Sequence, residues 1–240
     1  MAAYKLMACP HDTVRSSSGW YRLAAYLGTH LPFELHFDLA LDFSEFNERL
    51  GNGDLVFANP TDSLRLLSQG FVPIARASER YDEAILVMNA EAAPATAHAL
   101  SGAAVATVAS AAPTQLALYD LKQLGVTPGE LKNYDSWLGV VRGLWNGEAP
   151  FGILYRDAYE DLSPQGRAMV QVITHTDVRK LFHSICASPR LVAEVPNLQP
   201  ILLGMSSDPA GKEVLEDLGF TAWQVVEPAE INAMQALLNN

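Results

Sequence analysis

The chain has 240 residues, 49% of them apolar and 18% charged, with a formal net charge of −11 and a pI near 4.9. That length holds one large or two small domains with a real core. The 16 Lys and Arg are scattered among 27 acids, which excludes the basic stripe of a nucleic-acid binder, and no run reaches the roughly 18 apolar residues of a membrane span.

The N-terminal MAAYKLMACP lacks the basic start of a signal peptide and passes directly into a strand pattern. The sequence as written is therefore expected in the cytoplasm, or in the periplasm if a leader has been removed. Trp20, Leu23, Ala24, Leu27 and Leu31 recur at helical spacing. FELHFDLAL alternates strictly, which predicts one strand with Phe33, Leu35, Phe37, Leu39 and Leu41 on its inner face. DFSEFNERLGNG predicts a short helix capped by Asp42 or Ser44. DLVFAN then predicts a buried strand, DSLRLLSQG a helix ending at Gly70, and VPIARA a further strand.

That order is a βαβαβ unit. A second α/β unit starts near residue 84: AILVMNA, AAVATVA, a helix over Thr114–Leu124, a helix over Trp137–Trp145, FGILY and VQVIT. The tail from Ser188 is helical, is broken by Pro196 and Pro200, and ends in KEVLEDLG and AEINAMQALLNN. Helix-poor bridges fall at RASERYDEAI and LFHSICAS. Two α/β units joined by two bridges predict two lobes with a ligand cleft between them.

No nucleotide loop, zinc helix or nucleophile elbow is present, and no metal or cofactor is implied. Cys9 and Cys186 sit in apolar runs and read as buried free thiols, with a disulfide left open. His36 reads as solvated, and His175 and His183 as ordinary strand-end residues. His11, Asp12 and Thr13 follow the first strand, where α/β proteins bind ligands. The stretch from Ala106 to Gly125, ATVASAAPTQLALYDLKQLG, runs from a strand through small residues into a helix. It turns helix-start N–H groups outward.

Four segments, taken in order, are similar to the substrate-binding proteins of phosphate, phosphite and phosphonate ABC transporters. They are FNERLGNGDLVFANP, ASAAPTQLALYDLKQLGVTPGEL, VVRGLWNGEAPFGILYRDAYEDL and DPAGKEVLEDLGFTAWQVVEPAEINAM. The resemblance spans nearly the whole chain. It implies a type II periplasmic-binding-protein fold, with lobe one over 1–83 plus 186–240 and lobe two over 84–185. It also implies two lobes that close on a small polar ligand, an oxyanion or organic acid, without chemistry. The implied ligand-facing residues are Asn59, Thr61, Ser63, Ser110, Thr114, Trp137, Tyr155 and Asp157, beside His11, Asp12 and Thr13. The family's loop is commonly Ser-Thr-Ser-Gly; here it is Ser110-Ala111-Ala112-Pro113. Ser63 stands where that family often has a Tyr, and Trp137 where it often has a His. Asp62 adds a carboxylate beside them. A partner permease, or a separate signalling partner, follows from the same resemblance. The alternatives are a cytoplasmic enzyme on this fold, of the menaquinone or thiamine-pyrimidine biosynthesis type, with His11 as its best catalytic candidate, and a cytoplasmic sensor.

Overall fold

A computed structural model describes residues 3–239. The chain forms two compact units. Unit 1 runs up to Arg80 and resumes over Phe182–Asn232; unit 2 is Tyr81–Leu181 with the chain from Ala233 on.

Unit 1 opens with β1 (Ala3–Ala8), α1 (Pro10–His30), β2 (Glu34–Phe37), α2 (Phe43–Arg49), β3 (Leu55–Ala58), α3 (Pro60–Ser68) and β4 (Val72–Ala77). Unit 2 follows with β5 (Ala84–Asn89), β6 (Ala104–Thr107), α4 (Ala112–Gln123), β7 (Glu130–Asn133), α5 (Trp137–Trp145), β8 (Phe151–Tyr155), α6 (Arg156–Glu160), α7 (Pro164–Ala168) and β9 (Val170–His175). The chain then gives β10 (Ser184–Ala187), α8 (Val195–Gly204), α9 (Pro209–Leu218), β11 (Trp223–Gln224) and α10 (Pro228–Leu238).

The unit 1 sheet has the order β11-β4-β10-β3-β1-β2. β1 pairs parallel with β2 and β3, while β10 runs antiparallel between β3 and β4. Both faces are covered. Leu6, Leu55, Phe57 and Ile185 pack against Trp20, Leu23 and Leu27 of α1 and against residues of α8 and α9. The alternate residues Met7, Val56, Ala58 and Cys186 meet Phe46 of α2 and Leu66 of α3. Burial on both faces is why these strands read as continuous apolar runs. The Trp20 ring lies 4.8 Å from that of Phe57.

The unit 2 sheet has the order β7-β6-β8-β5-β9. β6 is parallel to β7 and β8, and β5 is antiparallel to β8 and β9. Ala117 and Leu121 of α4 pack on Leu86, Val105 and Ile153. Val140, Val141 and Leu144 of α5 pack on Val87, Ala106 and Leu154.

Several sequence-based expectations are corrected. The strand predicted to reach Leu41 ends at Phe37, and Leu41 is 79% exposed. The chain leaves the sheet because Asp42 caps α2, its carboxylate accepting the Glu45 N–H at 2.8 Å. Pro200 lies inside α8. The burial of Leu198 and Leu202 outweighs the lost hydrogen bond there. α1 starts at Pro10, ten residues before the apolar pattern becomes visible. β7 was unread because ELKN is half-exposed and polar. Cys9 and Cys186 are both free and buried. Among the described residues, no helix is long and apolar enough to cross a membrane.

Candidate functional site

In each unit the residues singled out from sequence gather where a strand ends and a helix begins. In sheets of this kind that is where helix-start N–H groups meet ligands.

In unit 1, His11, Asp12 and Thr13 form the first turn of α1, directly after β1. Thr13 is buried, and its hydroxyl donates to the Pro10 carbonyl at 3.0 Å, so it holds the turn. Asp12 is buried, and its Oδ2 lies 2.9 Å from Nδ1 of His183, just before β10. The two atoms meet closely but without the alignment of a hydrogen bond. Phe57 flanks the imidazole at 5.3 Å. Asn59 caps α3 with both ends of its amide engaged: Oδ1 accepts the Asp62 N–H at 2.9 Å, and Nδ2 donates to Asp62 Oδ2 at 2.7 Å. Burial pushes the Asp62 carboxyl above its usual range, against the pull of Arg65 and Asn59. Thr61 is exposed. Ser63 is fully buried, and its hydroxyl donates to the Ala58 carbonyl at 3.0 Å and meets Ser184 Oγ at 2.9 Å.

In unit 2, the loop between β6 and α4 shows where each donor goes. Ala109 N–H goes to Asn133 Oδ1 at 2.9 Å, Ala111 N–H to the Val108 carbonyl, and Thr114 N–H to the Ala111 carbonyl. Pro113 has no N–H to give. The Thr114 hydroxyl is buried, donating to the Val108 carbonyl at 2.8 Å and meeting Thr107 Oγ1 at 2.6 Å. None of the described hydrogen bonds engages the N–H of Ser110 or of Ala112; Ser110 is exposed, and Ala112, the first residue of α4, is buried. At the end of β8, the Tyr155 hydroxyl donates to Asp82 Oδ1 at 3.1 Å, both residues buried. Trp137, at the start of α5, stands with its ring 6.4 Å from that of Tyr155. Asp157 is buried in the first turn of α6.

Sequence reasoning took His183 for a plain strand-end residue and passed over Asp82. The available signal for His183 was a histidine inside the otherwise apolar run LFHSICA. The chemistry open to these groups is donation and charge pairing. Cys9 lies in the same neighbourhood as Asp12 and Asn59, with Asn59 Nδ2 3.9 Å from its sulfur. Burial first, and Asp12 second, push its thiol up to about 12, so a thiolate nucleophile is not formed near neutral pH. No cluster of three metal-ligating side chains exists among the described residues.

The family model of the ABC-transporter phosphonate periplasmic substrate-binding protein matches residues 8–231. The structure resembles PhnD1 from Prochlorococcus marinus in complex with methylphosphonate, with a TM-score of 0.75 and 15% identity, covering 98% of this chain and 96% of that one. It also resembles a binding protein component of an ABC phosphonate transporter from Pseudomonas aeruginosa (TM-score 0.69, 11% identity, 98% and 85% covered). The periplasmic aliphatic sulphonate binding protein SsuA from Escherichia coli is similar as well (TM-score 0.74, 13% identity, 100% and 91% covered). At these identities the likeness establishes the type II periplasmic-binding-protein fold. No protein of curated function matches the sequence.

Proposed function

The chain belongs to the periplasmic substrate-binding proteins of phosphonate ABC transporters, and from that premise we propose that it binds a small, singly charged oxyanion and carries out no chemistry on it. The observation that supports this reading most is the donor count at the start of α4. Two N–H groups that none of the described hydrogen bonds engages and one exposed hydroxyl stand there, and Pro113 withholds a third N–H. Such a set suits a carboxylate, a sulfonate or a monoanionic phosphonate better than a phosphate dianion, which wants more donors.

Burial holds the Cys9 thiol protonated, which argues against that thiol as a nucleophile. Ligand delivery to a membrane permease is the partner relationship proposed from the family.

Calorimetric titration with methylphosphonate, methanesulfonate, acetate and inorganic phosphate tests the reading. Binding of one or more of the first three, with phosphate weaker, is the expected order. Phosphate binding more tightly than all of them would overturn the charge preference, and turnover of any of them would overturn the binding role.

A further inference from the structure

Among the described residues, two that are not glycine hold left-handed backbone: Glu79 and Arg179, each with φ 55°. That region is costly for such residues and persists only where the surroundings impose it. The two stand at matching places. The chain passes from unit 1 to unit 2 between Arg80 and Tyr81, and it returns between Leu181 and Phe182. Glu79 comes just before the first passage and Arg179 just before the second. A third passage, between Asn232 and Ala233, lies inside α10 and is helical on both sides. Glu79 and Arg179 are both exposed, so core packing does not impose their conformation.

At Arg179 a buried carboxylate imposes it. Glu83 is 1% exposed. Its Oε1 accepts the Arg179 N–H at 2.8 Å, and its Oε2 accepts the Thr176 hydroxyl. Thr176 is itself fixed to Ala84: its N–H donates to the Ala84 carbonyl at 2.9 Å, and its Oγ1 accepts the Ala84 N–H at 2.9 Å. The Glu83 carbonyl in turn accepts the Arg156 N–H at 2.9 Å. One carboxylate thus grips both ends of the segment from Thr176 to Arg179. Past the bend, the two connections are joined to each other, the Asp82 N–H donating to the Leu181 carbonyl at 2.8 Å. On the other connection the last anchor before Glu79 is the Ser78 N–H, which donates to the Ala222 carbonyl at 2.9 Å. Hinges take up motion at a few residues beside element ends, and strained backbone gathers at such switch points.

We infer that Glu79 and Arg179 are the backbone pivots of the movement that closes the protein on its ligand, and that Glu83 is the positioning residue that holds the second pivot in its left-handed turn. The inference rests on the reading of the chain as a closing binding protein and adds which residues carry the turn.

The protein is measured without ligand, so the calorimetric titrations judge the ligand and interspin distances judge the pivots. Nitroxide labels at Glu48→Cys on α2 and Lys122→Cys on α4, both exposed positions in different units, report the distance by double electron–electron resonance; Cys9 and Cys186 are buried and stay unlabelled. Asparagine and valine both remove the side-chain charge, but only asparagine accepts left-handed backbone. Glu79→Asn and Arg179→Asn are expected to keep the native distance distribution. Glu79→Val and Arg179→Val should move its mean beyond the native width. Arg179→Gly, free to take either sign of φ, should widen it. Glu83→Ala should widen it in the same way and speed hydrogen exchange at the Arg179 amide; if that variant does not fold, Arg179→Gly decides. Valine variants that match the asparagine ones, or a glycine variant of native width, would overturn the pivots. Asparagine variants that move the distance as far as valine does would assign the effect to the lost charges and overturn them too. Glu83→Ala that only melts earlier, with distances and exchange unchanged, would leave Glu83 no positioning role.

Discussion

Oδ2 of Asp12 and Nδ1 of His183 lie 2.9 Å apart with side chains only 9% and 10% exposed, and they tie the first turn of α1 to the start of β10. Removing one member of a buried polar pair leaves the other without its counterpart, at a cost of about 1–3 kcal/mol. Asp12→Asn and His183→Gln should each lower the unfolding free energy from urea melts by that order. The double variant should cost clearly less than the sum. Additive losses within about 0.5 kcal/mol would show that the two side chains do not interact.

Asp62 should make the protein less stable at neutral pH than its amide analogue. Its carboxyl is raised above the usual carboxylate range mainly by burial. A raised acid contributes stability that is complete below the unfolded pKa and is lost as pH rises through the folded one. Asp62→Asn should therefore gain melting temperature at pH 7, and the gain should shrink toward zero as pH falls below about 4. A difference that stays constant with pH would place the carboxyl in ordinary solvent.

The loop before α4 offers a loss and a gain. Ala112 is the first residue of the helix, a position where proline is tolerated, so Ala112→Pro removes an N–H that none of the described hydrogen bonds engages, with little change in fold. It should weaken binding of whichever anion the calorimetric series identifies. Pro113→Ala returns an N–H and should tighten methylphosphonate binding by roughly tenfold, at a stability cost of about 0.4–1 kcal/mol. If affinity moves in neither variant, the anion does not sit at this loop.

The thiols should be silent in the native protein. Burial pushes Cys9 up to about 12 and Cys186 to about 11, and both side chains are enclosed. At pH 8 a disulfide reagent should modify neither until denaturant is added. Rapid native labelling of one thiol would contradict the burial of that residue.

The alternation of strands and helices was legible because each strand's apolar run is short and each helix carries its own period. The Trp137–Trp145 helix is read from sequence with the bounds it has in the structure. Register and neighbour choice were not legible. Nothing in SICA tells a reader that it runs antiparallel between LVFA and VPIARA. At the strand ends, pattern placed Ser63 and Thr114 at helix starts, but the direction of a hydroxyl depends on what lies behind it. The carbonyls of Ala58 and Val108 turn both inward. His183 escaped notice because its counterpart Asp12 is remote in the chain.

The placement of β10 also sets a timetable. The first four strands of unit 1 leave the ribosome before any residue of unit 2, yet β3 and β4 have no contact along their shared edge until Ser184–Ala187 exists to lie between them. During that interval two apolar strand edges stand open, a known route to aggregation. Unit 2, nearly contiguous in sequence, can mature first. Translation through residue 187 is thus the earliest moment at which the N-terminal third of the protein can close its sheet.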